Sequence, residues 1–160
     1  MIKDFAVVLE NLRSVYNVAS IFRTADAVGA SKIYLVGSSP TPLDRFGRER
    51  KDFAKVALGA QNTVPWEYFE SIKDALDKLR KLGFSVIALE QDENSKSLSS
   101  FKAPEKLALV LGNEPSGIEQ DTLKLCDNIV EIPMFGKKES LNVSVAFGVA
   151  AYCLKLKNSK

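Results

Sequence analysis

The chain contains no histidine. Ser-His-Asp hydrolysis, the His-Glu-x-x-His zinc site and imidazole acid–base catalysis are therefore excluded. Cysteine is almost as scarce. Cys126 and Cys153 are widely separated and form no C-x-x-C, which removes zinc-ribbon and dithiol redox readings. Buried free thiols in a reducing cytoplasm are the expectation. Neither charge sign dominates: 22 Lys+Arg face 20 Asp+Glu, a formal net charge of +2, so nucleic-acid contacts have to come from local clusters. Long apolar runs are also missing. Val143 to Leu154 is interrupted by Ser144 and is too short for a bilayer span, and Met1-Ile2-Lys3-Asp4 does not open a signal peptide. A cytoplasmic protein with no metal and no membrane attachment is expected.

What is present is a chain of 160 residues, 46% apolar and 26% charged, enough to bury one core without staples. Strands are expected at Phe5 to Leu9, Lys32 to Val36, Phe84 to Leu89, Leu107 to Leu111 and Ile129 to Ile132. Helical periodicity marks Asn17 to Val28, Ser71 to Leu82, Gly117 to Leu125 and a last helix from Ser140 to about Lys157. Leu43 to Pro65 is ambiguous, with a weak strand at Thr63-Val64, and Gln91 to Glu105 reads as a long polar loop. The alternation predicts an α/β domain over residues 1–160: a mostly parallel sheet of about five or six strands, flanked by helices on both faces. Ligands of such sheets sit beyond the carboxyl ends of the strands. That rule directs attention to the loops at Glu10 to Tyr16, Leu111 to Gly117 and Pro133 to Ser140.

Gly112-Asn113-Glu114-Pro115-Ser116-Gly117 imitates the start of a phosphate loop. However, Ile118-Glu119 stands where Lys and Ser/Thr are needed, and Glu114 would repel phosphate. The segment reads either as a carboxylate-bearing ligand loop or as a tight turn with Ser116 capping the next helix. Asn17 sits where an N-cap belongs. Arg23 lies off the apolar face, as a solvated partner of Asp26 or as a fork for phosphate and ribose oxygens. Ser140 reads as a cap whose helix start could also hold a polar ligand group. Arg45, Arg48, Arg50 and Lys51, interleaved with Phe46 and Phe53, combine phosphate-gripping charge with base-stacking aromatics; a solvated charged face is the plainer reading.

In order, Asn17 through Gly29, Leu109 through Ile118, and Ile132 through Gly136 on to Ser140-Leu141-Asn142-Val143-Ser144-Val145-Ala146 resemble the three signature motifs of the SpoU-type (TrmH-like) RNA 2′-O-ribose methyltransferases of the SPOUT superfamily. Ala19 stands where many relatives carry Gly. The resemblance implies a C-terminal deep trefoil knot, a homodimer and S-adenosyl-L-methionine held by Leu89, Gly112, Ile132, Ser140, Leu141 and Asn142. It assigns catalytic-site roles to Asn17, Arg23, Glu114, Ser140 and Asn142. Asn17 and Arg23 would face the RNA, with Arg23 in a site completed by the second subunit. Arg13, Arg23, Arg45, Arg48, Arg50 and Lys51 would grip the RNA, and no appended RNA-binding domain is expected.

A guanidinium with a pKa above ~12 hardly ever releases its proton, so Arg23 is expected to clamp phosphate and stabilise the developing alkoxide rather than act as a base. Transfer RNA is preferred over ribosomal RNA as the substrate. The alternatives are a ribosomal RNA enzyme, a catalytically silent RNA-binding paralogue and a flavodoxin-like binding domain. Asn11-Leu12-Arg13-Ser14 offers neither the acidic cluster nor the phosphate loop that the last of these needs.

Overall fold

A computed structural model describes residues 1–157. Seven strands are described: β1 (Asp4–Glu10), β2 (Lys32–Val36), β3 (Trp66–Phe69), β4 (Ser85–Leu89), β5 (Lys96–Ser97), β6 (Lys106–Leu111) and β7 (Asn128–Glu131). They form one sheet in the order β3-β2-β1-β6-β4-β7-β5, and every pairing is parallel. The helices are α1 (Val15–Ala27), α2 (Lys51–Ala57), α3 (Ala60–Thr63), α4 (Ile72–Lys81), α5 (Gln120–Leu125) and α6 (Val143–Lys157).

The central strands are apolar runs because both faces of the sheet are covered. Alternate β1 residues divide between two cores. Phe5, Val7 and Leu9 lie under α1, α2 and α6, with Phe22 edge-on to Phe53 at 5.2 Å and Phe147 stacked on Phe5. Ala6 and Val8 face the other way, onto Ala75, Leu76 and Leu79 of α4 and Leu123 of α5. Each fully buried Leu or Phe contributes about 1.5–3 kcal/mol relative to exposure.

The expected parallel sheet flanked by helices on both faces holds, with corrections in detail. Seven strands are present among the described residues rather than five or six. The ambiguous stretch holds α2 and α3: Thr63 ends a helix, and the strand follows at Trp66–Phe69. The long polar loop contains the short β5. Strand β7 lies between β4 and β5, with Leu89 and Lys96 flanking Val130 from opposite sides. The β4–β5 connection therefore passes round the strand whose exit leads to α6.

Three caps also differ from expectation. Helix α1 is capped by Ser14, whose Oγ accepts from the Asn17 N–H at 3.1 Å, so the Asn17 side chain is released for other contacts. Ser116 caps nothing; its N–H and hydroxyl both donate to Asn113 Oδ1, and α5 begins four residues later with Glu119 at the cap position. Ser140 lies ahead of α6, and Asn142 caps that helix through Oδ1, which accepts from the Ser144 N–H at 2.9 Å and the Val145 N–H at 3.4 Å.

Candidate active site

Two of the three loops singled out by topology, Leu111 to Gly117 and Pro133 to Ser140, line a cavity of about 360 Å³ at the carboxyl edge of the sheet. The third, Glu10 to Tyr16, is tied to its wall through the Arg13 and Ser14 N–H groups that donate to Glu114. Leu89, Gly112, Ile132, Ser140, Leu141 and Asn142 all line it, together with Asn17 and Glu114. The walls combine apolar strand ends and loop side chains with a few polar groups, the make-up and size of a small-molecule site.

Two glycines shape the wall. A Cβ on Gly112 would lie 2.5 Å from the Ile118 nitrogen and 2.6 Å from the Gly117 carbonyl carbon, so the turn closes only over a bare α-carbon. Gly117 has φ +71°, and its pro-Cβ position is 2.3 Å from Glu90 Oε2. Glu90 in turn accepts from the Ile118 N–H at 2.9 Å. On the opposite side, the Gln91 side chain donates to the Glu139 carbonyl, tying the β4 exit to the loop before α6.

Glu114 organises the polar wall. Its carboxylate accepts from the Arg13 N–H (3.0 Å), the Ser14 N–H (3.2 Å) and Asn17 Nδ2 (3.1 Å). Burial pushes the Glu114 carboxyl up, but these hydrogen bonds outweigh it and hold the group below its ordinary range. Asn17 Oδ1 then accepts from Asn142 Nδ2 at 3.2 Å. Glu114, Asn17 and Asn142 thus form one relay joining the Gly112 turn, the first turn of α1 and the start of α6. Asn17, expected to face the RNA, is instead 7% exposed with both ends of its amide engaged.

The basic residues are distributed differently. Arg23 is exposed on α1, outside the cavity lining, and makes no ion pair among the described residues. Its anticipated partner Asp26 accepts from the Thr63 hydroxyl at 2.7 Å instead. Arg13 lines a neighbouring polar cleft that shares Asn113 and Gly117 with the main cavity. Arg50 is forked onto Asp52 (Nε to Oδ1 3.2 Å, Nη2 to Oδ2 2.9 Å), and Arg48 Nε pairs with Asp44 at 3.0 Å. Arg45 and Lys51 are exposed.

Sequence reading passed over Glu90 and Gln91. Their one local signal is a carboxylate directly after an apolar strand at the ligand-binding edge; Leu89 drew attention while the polar pair beside it did not. It also passed over an exposed apolar stripe along α6, made by Val145, Val149, Tyr152 and Leu156.

Fold and cavity define a parallel α/β domain with a ligand site between strand-end loops and the start of its last helix. The sequence pattern of the SpoU rRNA Methylase family matches residues 4–152, and the chain belongs to that family. It is 37% identical over 147 residues to a 23S rRNA (guanosine-2'-O-)-methyltransferase RlmB from Ralstonia nicotianae, covering 91% of this chain and 56% of the relative. It is 31% identical over 149 residues to a tRNA (guanosine(18)-2'-O)-methyltransferase from Escherichia coli, covering 93% of this chain and 62% of the relative. A solved structure described under the 2-OH methylation of C/U34 on tRNA superposes with a TM-score of 0.82 at 26% identity, with 97% of each chain covered.

Proposed function

We propose that this chain is an S-adenosyl-L-methionine-dependent RNA 2′-O-ribose methyltransferase that works as a homodimer in the cytoplasm, with a transfer RNA as its substrate. The observation that carries the reading is the Glu114–Asn17–Asn142 relay. It locks the three family motifs around one cavity, at whose wall all six positions implied for the cofactor meet.

The cavity fits the cofactor in chemistry as well as size. Leu89, Leu141 and Ile132 supply apolar wall for an adenine. The Gly112 turn allows close backbone approach, and Ser140 and Asn142 offer polar groups. Bound there, S-adenosyl-L-methionine would supply an electrophilic methyl group for a ribose 2′-oxygen. The protein's part is alignment and electrostatics, which needs neither histidine nor metal. Glu114, Asn17 and Asn142 act as positioning residues that hold the loops in register. Arg23, exposed and without an ion-pair partner among the described residues, clamps the phosphate next to the reacting ribose. Arg13, Arg45 and Lys51 carry further phosphate contacts; Arg48 and Arg50 contribute with charge already shared with Asp44 and Asp52.

The dimer rests on the α6 stripe of Val145, Val149, Tyr152 and Leu156 and on exposed Tyr16 of α1, the helix that bears Arg23. Arg23 lies seven residues after Tyr16 on the same face of α1, so burying that face against a second copy would place Arg23 at the seam between subunits. The knot belongs to the same reading and is supported by the passage of the β4–β5 connection round β7. Transfer RNA is favoured by the superposition on the C/U34 structure, which covers 97% of each chain.

The test is calorimetry with S-adenosyl-L-methionine, followed by labelled-methyl transfer into bulk transfer RNA and ribosomal RNA with nucleoside mapping. Heat of binding and 2′-O-methyl label in transfer RNA are expected. Label in ribosomal RNA alone moves the substrate to that class, and cofactor binding with no label in either leaves the silent RNA-binding reading.

A further inference from the structure

The segment between β2 and α2 sets an exposed aromatic, Phe46, among the basic residues Arg45, Arg48, Arg50 and Lys51. Leu43 and Glu49 form an antiparallel bridge, closed by hydrogen bonds between Asp44 and Arg48, and Phe46 sits at the tip. Asp44 builds the turn from inside. Its Oδ1 accepts from the Phe46 N–H at 2.8 Å and the Arg48 N–H at 3.0 Å, and these bonds, led by the one from Arg48, hold its carboxyl below the ordinary range. Gly47, at φ +75°, turns the chain back. The result is a small hydrogen-bonded hairpin rather than a loose charged loop.

Phe46 is 66% exposed although the hairpin itself is ordered by this network. The guanidinium carbons of Arg45 and Arg48 lie 4.8 and 4.9 Å from its ring centroid. Two planar cations and one aromatic ring are thereby gathered into a single π-rich surface. A solvated charge patch has no need of the phenyl ring, and a folding core would have buried it. Nucleobases match both parts: their flat faces stack on aromatic rings and guanidinium planes, while their phosphates meet the cations. Paired bases hide those faces inside a helix, so the occupant has to carry an unpaired base.

The hairpin is also fixed relative to the cavity. It follows the carboxyl end of β2, on the same edge of the sheet. Asn11 Oδ1 accepts from the Ser38 N–H and the Leu12 N–H donates to Ser39 Oγ, both at 3.0 Å, while the next residues, Arg13 and Ser14, donate to Glu114. From there Pro40, Thr41 and Pro42 lead straight into the hairpin, and the Arg50 N–H returns to the Pro42 carbonyl.

We infer that the Arg45–Phe46–Arg48 hairpin is a stacking platform for an unpaired nucleotide, so that the RNA acted on presents its target in an open loop rather than a duplex. This deepens the proposed RNA reading and rests on it. The test compares binding of an RNA stem bearing an open loop with the blunt duplex of the same stem, at one salt concentration, for the wild-type chain, Phe46→Ala and Phe46→Trp. Cofactor heat is measured alongside. The wild type is expected to prefer the stem–loop. Phe46→Ala should weaken stem–loop binding by about tenfold or more while leaving duplex binding and cofactor heat unchanged, and Phe46→Trp should restore the preference. Equal loss on both RNAs, or no loss on either, overturns the platform. A wild-type chain that binds the stem–loop through Phe46 but takes up no cofactor would sink the methyltransferase reading and leave the platform standing.

Discussion

Asn142 Nδ2 donates to Asn17 Oδ1 at 3.2 Å, joining the start of the last helix to the first turn of the first across 125 positions of sequence. The same Asn142 caps α6 through its own oxygen. One amide therefore does two separable things, and two substitutions separate them. Asn142→Ala loses both, and cap removal alone costs about 0.5–2 kcal/mol. A melting temperature lower by a few degrees is expected, together with weaker cofactor binding. Asn142→Asp keeps the cap acceptor but has no amide hydrogen for Asn17. Its melting temperature should stay near wild type while cofactor heat falls. Wild-type cofactor heat in Asn142→Asp would mean that the link to Asn17 contributes nothing of its own.

Two carboxyls near the site should give opposite pH signatures. Glu114 is held below its ordinary value of 4.5, so its contribution to stability is present above that pH and is lost as pH falls through the folded value. Glu10 is buried and raised, mainly by desolvation, with Thr122 donating to one oxygen and the other oxygen unpartnered. Its contribution runs the other way: present at low pH and eroded as pH rises through its folded value. In urea unfolding from pH 4 to pH 8, Glu10→Gln should be more stable than wild type at the alkaline end and converge with it on acidification. Glu114→Gln should be less stable at neutral pH, with the gap closing in acid. A Glu10→Gln chain no more stable than wild type at pH 8 would contradict the desolvation argument.

Much of this was legible in the sequence for a physical reason. Strands β1 and β6 are buried on both faces and read as unbroken apolar runs; α1 and α4 carry amphipathic periodicity. The failures are equally instructive. Helix α2 docks mainly through Phe53 and Ala57 amid charged neighbours, too little apolar signal to mark a short helix. Ser14 and Asn17 are both good caps, and local preference cannot choose between them. The choice is bound up with Glu114, nearly a hundred residues away, which takes the free N–H groups of Arg13 and Ser14 and the amide of Asn17. The cavity positions were readable as motifs, but the relay between them exists only after folding.

Gly112→Ala should be among the most damaging small changes. Its new methyl would meet backbone atoms at 2.5 and 2.6 Å, neither of which can swing aside like a side chain. The turn from Gly112 to Gly117 has to open, moving Glu114 off the Arg13 and Ser14 N–H groups. Destabilisation of about 1–3 kcal/mol is expected, with cofactor heat lost even at temperatures where the variant remains folded. Circular dichroism and calorimetry on the same sample read the two effects. Wild-type cofactor affinity in a folded Gly112→Ala chain would show that the turn does not shape the site.

Arg23 and Val149 give a paired test of the shared site. Arg23→Lys keeps the charge but loses the planar fork, and the side chain is exposed without an ion pair among the described residues, so stability and cofactor heat should be unchanged. Methyl transfer should fall by about a hundredfold, the scale of losing one charge-stabilising donor. Val149→Asp places a charge in the exposed stripe of α6, where Val149 is 43% exposed and no core contact is broken. That variant should sediment as a monomer and lose transfer as well. If Arg23 acts across the dimer, mixing each variant's subunits with the other's cannot restore activity through a Val149→Asp interface. Mixing Arg23→Lys with a variant disabled in its own cavity, such as Gly112→Ala, should recover part of it. In a mixed dimer one site then joins a wild-type cavity to the partner's intact Arg23, whereas an Arg23 acting within its own subunit would leave both sites dead.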